Sequence, residues 1–197
     1  FMIAGQLGLN TASLVTILGT ASLALSLSLQ GTLQNFAGGV LLLLVKPFKV
    51  GEYIICPEGE GTVSMIGLVY TTLLTADNKR ITIPNGSLAN STVTDVTAME
   101  KRRLDLLVGI GYQADIKAAK EILERSFREH PLICKEEDIT VFVDSLGDSA
   151  VTLGVRGWTA PGDYWKAKWD LLETIKLSFD EAGIEIPFSQ VDVHIVK

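Results

Sequence analysis

FMIAGQLGLNTASLVTILGTASLALSLSLQGTLQNFAGGVLLLLV, Phe1 to Val45, contains no Asp, Glu, Lys, Arg or His, and the first charge of the 197-residue chain is Lys46. The whole formal charge of −6 therefore sits in the remaining three quarters. An uncharged apolar block of this length predicts a membrane element. As one helix it would run about 67 Å, whereas a hydrocarbon core is about 30 Å thick. The block is expected to break or to leave the membrane. Gln30-Gly31 is the expected break, because a polar side chain there meets the weakest helix former after Pro. It separates a spanning piece, about Leu7 to Leu29, from a shorter piece, about Thr32 to Val45.

The spanning piece is unlike a lone lipid-facing helix. Asn10, Thr11, Ser13, Thr16, Thr20, Ser22, Ser26 and Ser28 interleave with Ala12, Gly19, Ala21 and Ala24. Small residues let helices approach closely in a bilayer, and hydroxyls bond between helices or face water. Other helices, above all copies of itself, are the expected neighbours. Leu23 and Leu27 share one helical face with Thr16 and Gly19. In a ring of identical helices this face makes two apolar collars that gate by dewetting. Periodicity alone allows the alternative that these leucines pack against a neighbour or lipid, and Leu25 with Leu29 forms a rival stripe.

In the shorter piece Leu33, Phe36, Ala37, Val40, Leu41 and Leu44 follow helical spacing, which predicts one apolar face lying at the interface or docking on the body. Gly38-Gly39 weakens that helix and is a candidate second hinge. Lys46 and Lys49 follow at once, so the positive-inside bias places the body in the cytoplasm. A chain that starts with Phe is expected to be part of a longer protein, and the block has neither the basic n-region nor the small-residue cleavage site of a signal peptide.

The body reads as soluble. Its acidity argues against nucleic acid, whose binding relies on Lys and Arg. Cys56 and Cys134 are far apart and form no CxxC, which favours incidental thiols over a disulfide. His130 and His194 stand apart from each other and from the cysteines, so no metal-ligand spacing exists, and no cofactor is expected. Asp144, Asp148 and Asp163 stand near turns, where acceptors for backbone N–H are ordinary. No P-loop, dinucleotide fingerprint or nucleophile–base pair is present, and the chain is not expected to be an enzyme.

Short strands are predicted at 52–56, 61–66, 69–76 and 80–84, with Asp77-Asn78 turning the third into the fourth. This spacing suggests a small β-barrel or sandwich. Further on, a strand at 104–112 precedes a helix capped by Asp115 and ended by Pro131, with Ile116, Ala119, Leu123 and Phe127 on one face. Strands at 139–146 and 150–158 follow. A helix from Asp163 to about Ala182 is expected to bury Trp165, Trp169, Leu172, Ile175 and Phe179, with Gly183 as its stop. This β-α-β-β-α order is that of a ferredoxin-like split unit. Val191, Val193 and Ile195 make a lone terminal strand, expected to pair between subunits.

Three stretches carry a family resemblance. Leu29-Gln30-Gly31-Thr32-Leu33-Gln34-Asn35-Phe36-Ala37-Gly38-Gly39-Val40 resembles the hinge of the third transmembrane helix in small-conductance mechanosensitive (MscS) channels. Lys46-Pro47-Phe48-Lys49-Val50-Gly51-Glu52-Tyr53 resembles that family's entry into its β-domain, and Thr75-Ala76-Asp77-Asn78-Lys79-Arg80-Ile81-Thr82-Ile83-Pro84-Asn85-Gly86 is a third match. The similarity extends over essentially the whole chain.

The resemblance implies a membrane α + β fold: a kinked transmembrane pore helix and interfacial helix (1–47), a small Sm/OB-like β-domain (48–100), a ferredoxin-like α/β domain (101–188) and a C-terminal strand (189–197) of an intersubunit β-barrel. It implies a homoheptamer in the inner membrane, multi-pass in full, with a cytoplasmic vestibule. Membrane lipids and permeating ions and small osmolytes are its partners, and membrane tension on hypo-osmotic shock opens it. Leu23 and Leu27 match the two constricting rings, with Thr16, Gly19 and Thr20 lining the pore. Ser22, Ala24, Leu25 and Ser26 form the helix-packing seam, which relatives often build from Gly and Ala; Leu25 is bulkier, and the serines add hydroxyls. Gln30-Gly31 matches the kink, Gly39 a glycine associated with inactivation, and Asn35 an Asn joining the interfacial helix to the vestibule. Rival readings are a ligand-modulated channel of the same architecture and a membrane-anchored scaffold.

Overall fold

Lys46 stands one residue past the end of the longest helix. In the computed structural model, which describes residues 11–191, α1 runs from Thr11 to Val45, 35 residues without interruption. The interruption expected at Gln30-Gly31 is therefore not present. A glycine inside a helix costs about 1 kcal/mol against Ala but keeps its N–H and C=O, so the hydrogen-bond ladder continues. α1 is about 52 Å long. It is the one described helix long and apolar enough to cross a membrane, over Val15–Val45. Lys46 closes it with a left-handed φ of 50° and an N–H bonded to the Leu42 carbonyl at 3.0 Å. Pro47 then forbids a further turn.

The chain divides into two compact units, residues 1–98 and 99–197. In the first, β1 (Tyr53–Cys56), β2 (Gly59–Ile66), β3 (Tyr70–Leu74), β4 (Arg80–Pro84) and β5 (Thr94–Asp95) make one sheet in the order β4-β3-β2-β1-β5. The pairing is antiparallel throughout. The Asp77-Asn78 turn joins β3 to β4 as expected, with Asn78 at φ 63°. Between β4 and β5 lies a short helix, α2 (Asn85–Ala89), which periodicity did not predict, nor did it predict β5. Ile54, Val63, Leu73, Ile83 and Leu88 form the core, and Leu42 from α1 and Phe48 complete it.

In the second unit β6 (Arg102–Ile110), β7 (Thr140–Leu146) and β8 (Val151–Thr159) pair antiparallel in the order β6-β8-β7. Alternation along β6 buries Leu104, Leu106, Val108 and Ile110, and α3 (Ile116–Glu129) and α4 (Tyr164–Glu181) supply the other side of the core. Asp115 caps α3, its Oδ1 accepting from the N–H groups of Lys117 (2.8 Å) and Ala118 (3.2 Å). Gly183, at φ 68°, ends α4.

Two expected faces differ. Ile116 is partly exposed, while Ala119, Leu123 and Phe127 are fully buried. On α4 the buried residues are Ala167, Leu171, Ile175 and Phe179, whereas Trp165, Trp169 and Leu172 are exposed. A strict four-residue stripe fills the space against the sheet, and the indoles stand on its flank, Trp165 edge-on to Tyr164. The expected terminal strand, Val191 to Val196, lies outside the described residues beyond Val191.

Candidate functional site

From Ala12 to Gln34 every described side chain of α1 is exposed, including Leu23 (61%) and Leu27 (63%). No part of the chain's own core covers this stretch. At about 100° per residue, Thr16, Gly19, Thr20, Leu23 and Leu27 fall within a sector of about 100°, while Leu25 and Leu29 lie on the far side of the helix. Ser22 and Ser26 flank the sector on one side and Ala24 on the other. The hydroxyls in this sector are satisfied inside the helix. Thr16 Oγ1 donates to the Ala12 carbonyl (2.9 Å), and Thr20 Oγ1 to those of Thr16 and Ile17 (3.0 Å each). Such back-bonding hides the donors and leaves a mostly apolar surface around the two leucines.

The other end of α1 is fastened, and by an unexpected face. The apolar residues Leu33, Phe36, Leu41 and Leu44 are exposed, and Ala37 with them. Gly38, Gly39 and Leu42 are buried, with Asn35 half-buried beside them. At helical spacing this docked face lies opposite the apolar one. The glycines there are not simply weak helix positions. A Cβ on Gly38 would stand 2.6 Å from the Asn85 carbonyl oxygen, and one on Gly39 would stand 2.6 Å from Asn85 Nδ2 and collide with the Leu68 carbonyl. Backbone-to-backbone contact of this kind requires residues without side chains.

What α1 docks against is the start of α2. Pro84 precedes that helix and gives it no side-chain cap. Its early N–H groups need an acceptor from elsewhere. Asn35 provides one, its Oδ1 accepting from the Gly86 N–H at 2.9 Å across 51 residues of sequence. Asn85 locks the underside. Fully buried, it accepts at Oδ1 from Thr71 Oγ1 (2.7 Å) and donates through Nδ2 to the Gly67 carbonyl (2.8 Å). Sequence reasoning missed Asn85, although it stands in the quoted Pro84-Asn85-Gly86 stretch. Apolar grooves flank the last turns of α1. One is lined by Leu42, Leu43, Phe48, Val50 and Ile66, with Lys46 and Lys49 at its edge.

Both cysteines are free thiols. Cys56 is buried and donates to the Gly59 carbonyl at 3.1 Å, and burial pushes its thiol above the ordinary value, which suits an inert core residue. Among the described residues no group of three or more His, Cys, Asp or Glu side chains is placed to hold a metal ion.

Comparison with known proteins matches both units. Residues 31–98 fit the family model described as the mechanosensitive ion channel β-domain, and residues 104–186 fit that of the mechanosensitive ion channel MscS C-terminal region. An MscS family protein of Synechocystis is 41% identical over 192 residues, covering 98% of this chain and 65% of the relative. The small-conductance mechanosensitive channel of Edwardsiella ictaluri is 40% identical over 177 residues, covering 90% of this chain and 62% of that channel. The chain thus spans about two thirds of the length of these relatives. The crystal structure of closed-state Helicobacter pylori MscS superposes with a TM-score of 0.93 at 30% identity, covering all of this chain and 78% of that one. The chain belongs to the MscS family of mechanosensitive channels.

Proposed function

We propose that the chain forms the pore and vestibule of a channel opened by membrane tension, which releases ions and small osmolytes on hypo-osmotic shock. The observation that carries this reading is the two-part character of α1. Its first half exposes leucines that no described part of the core covers, and its second half is fixed by glycines to a folded domain. A helix built so needs lipid and copies of itself around its free half, and a homoheptamer in the inner membrane, multi-pass in full and with its body cytoplasmic, meets that need.

In this account Leu23 and Leu27 form the constricting rings, with Thr16, Gly19 and Thr20 lining the conduit and Ser22, Ala24, Leu25 and Ser26 at the seam between helices. A narrow apolar ring excludes ions that would have to shed water. Tension favours the state of larger membrane area, in which the rings widen and wet. Gln30-Gly31 is the flexing point: a Cβ on Gly31 would meet nothing within 4 Å, so its glycine is not required by close packing. Asn35 and Gly39 transmit that movement to the β-domain. The five-stranded sheet is read as Sm/OB-like, the β6-β8-β7 unit as ferredoxin-like, and the terminal residues as a strand of an intersubunit barrel. The groove beside Lys46 and Lys49 suits an acyl chain with an anionic headgroup.

Suction applied to liposome patches holding the full-length protein, with no added ligand, tests the reading. Stepwise currents at a reproducible tension support it; currents that need a soluble ligand, or none at lytic tension, overturn it.

A further inference from the structure

We propose that His130 is an acid-sensitive latch in the second unit: its neutral imidazole holds the turn after α3 closed, and protonation releases it. The inference does not rest on the channel reading.

His130 is the C-cap of α3, and its side chain is only 9% exposed. Its Nδ1 accepts from the Leu132 N–H at 3.3 Å, so the ring proton sits on Nε2. Nε2 lies 3.8 Å from Asp170 Oδ2 on α4. The turn held in this way is pinned to the end of β8. Thr159 Oγ1 donates to the Leu132 carbonyl (2.7 Å), the Cys134 N–H donates to the Trp158 carbonyl (2.7 Å), and Ile133 bridges Thr159 and is buried in the core.

Protonation places a hydrogen on Nδ1, where it faces the Leu132 N–H instead of accepting from it, and puts a charge in a partly buried position. The charged groups facing the ring both come from α4: Asp170 favours the cation, and Lys166 opposes it. The end of β8 offers Trp158 and Thr159, which do not titrate, and on α3 the neighbouring Arg128 is paired with Glu124. Asp170 is half exposed, so its pull is screened by solvent. Burial outweighs it and holds the imidazole below its ordinary 6.5, with Lys166 adding to the depression. The fold therefore favours the neutral ring. Its contribution is complete above the unfolded value and is lost as pH falls from there through the folded one.

Hydrogen exchange on the full-length protein, corrected for intrinsic rates, tests this at about pH 7.5 and about pH 5.5. The amides of Ile133 and Cys134 should lose protection at the lower pH, while those of the α4 core around Ile175 do not. H130N keeps an acceptor for the Leu132 N–H without titrating and should stay protected at both. D170N removes the group that favours the cation and should retain more protection at the lower pH than the parent. Protection in the parent that ignores pH, or an equal acid loss in H130N, overturns the proposal. If H130N does not fold, D170N decides: protection no greater than the parent's contradicts it.

Discussion

The two halves of α1 expose their leucines alike but differ in what fastens them. From Ala12 to Gln34 the described leucines are exposed and lie outside the described core; from Asn35 to Val45 glycines are buried and leucines again point outward, Leu42 excepted. In a water-soluble helix the leucines would be the packed face. The difference fits the proposed setting, in which lipid and copies of the helix surround α1. There burial of Leu yields little, and close contact between small residues decides what packs.

The largest effect that would break this comparison is expected at Gly39. Gly39→Ala drives a methyl into the Leu68 carbonyl and Asn85, and should weaken docking by about 1–3 kcal/mol. The full-length protein should melt earlier and inactivate with altered kinetics. An unchanged melting temperature would mean that the docked face is misassigned.

Next comes Asn35→Ala, which leaves the Gly86 N–H without its acceptor and should cost about 1 kcal/mol. Asn35→Asp keeps the acceptor and should recover most of the loss in the same melting measurement. Equal losses in both variants would show that the contact is not a cap.

The smallest effect on stability is expected at Gly31, where added bulk meets nothing. Gly31→Ala should strengthen the helix by up to about 1 kcal/mol, leave docking intact and change closing or inactivation kinetics in patch recordings. Identical kinetics would argue against flexure there; a melting loss like that of Gly39→Ala would erase the distinction between the two halves.

Much of this was legible in the chain. The first four strands, the strand and helix order of the second unit, the Asp115 cap, the Asp77-Asn78 turn and the Gly183 stop followed from periodicity and turn chemistry. The faces were harder. On the second half of α1 the apolar face was expected to lie at the interface or to dock on the body; the opposite face docks, because backbone contact there needs Gly38 and Gly39 rather than large apolar side chains. On α4 Trp165 and Trp169 were expected to be buried, yet the smaller Ala167 fits against the sheet and the indoles do not. α2 and β5 are too short to leave a period. Asn85 escaped because its partners, Thr71 and the Gly67 carbonyl, are distant in sequence and unremarkable alone.

The central claim is that the Leu23–Leu27 side of α1 faces a conduit and the Leu25–Leu29 side does not. Resting current in patches, without suction, tests it by comparing Leu27→Ser with Leu29→Ser in the full-length protein. A hydroxyl in the ring should hydrate the closed pore and give a standing leak with Leu27→Ser, while Leu29→Ser stays silent at rest. A leak from Leu29→Ser with none from Leu27→Ser, or the same resting current in both, would contradict the account.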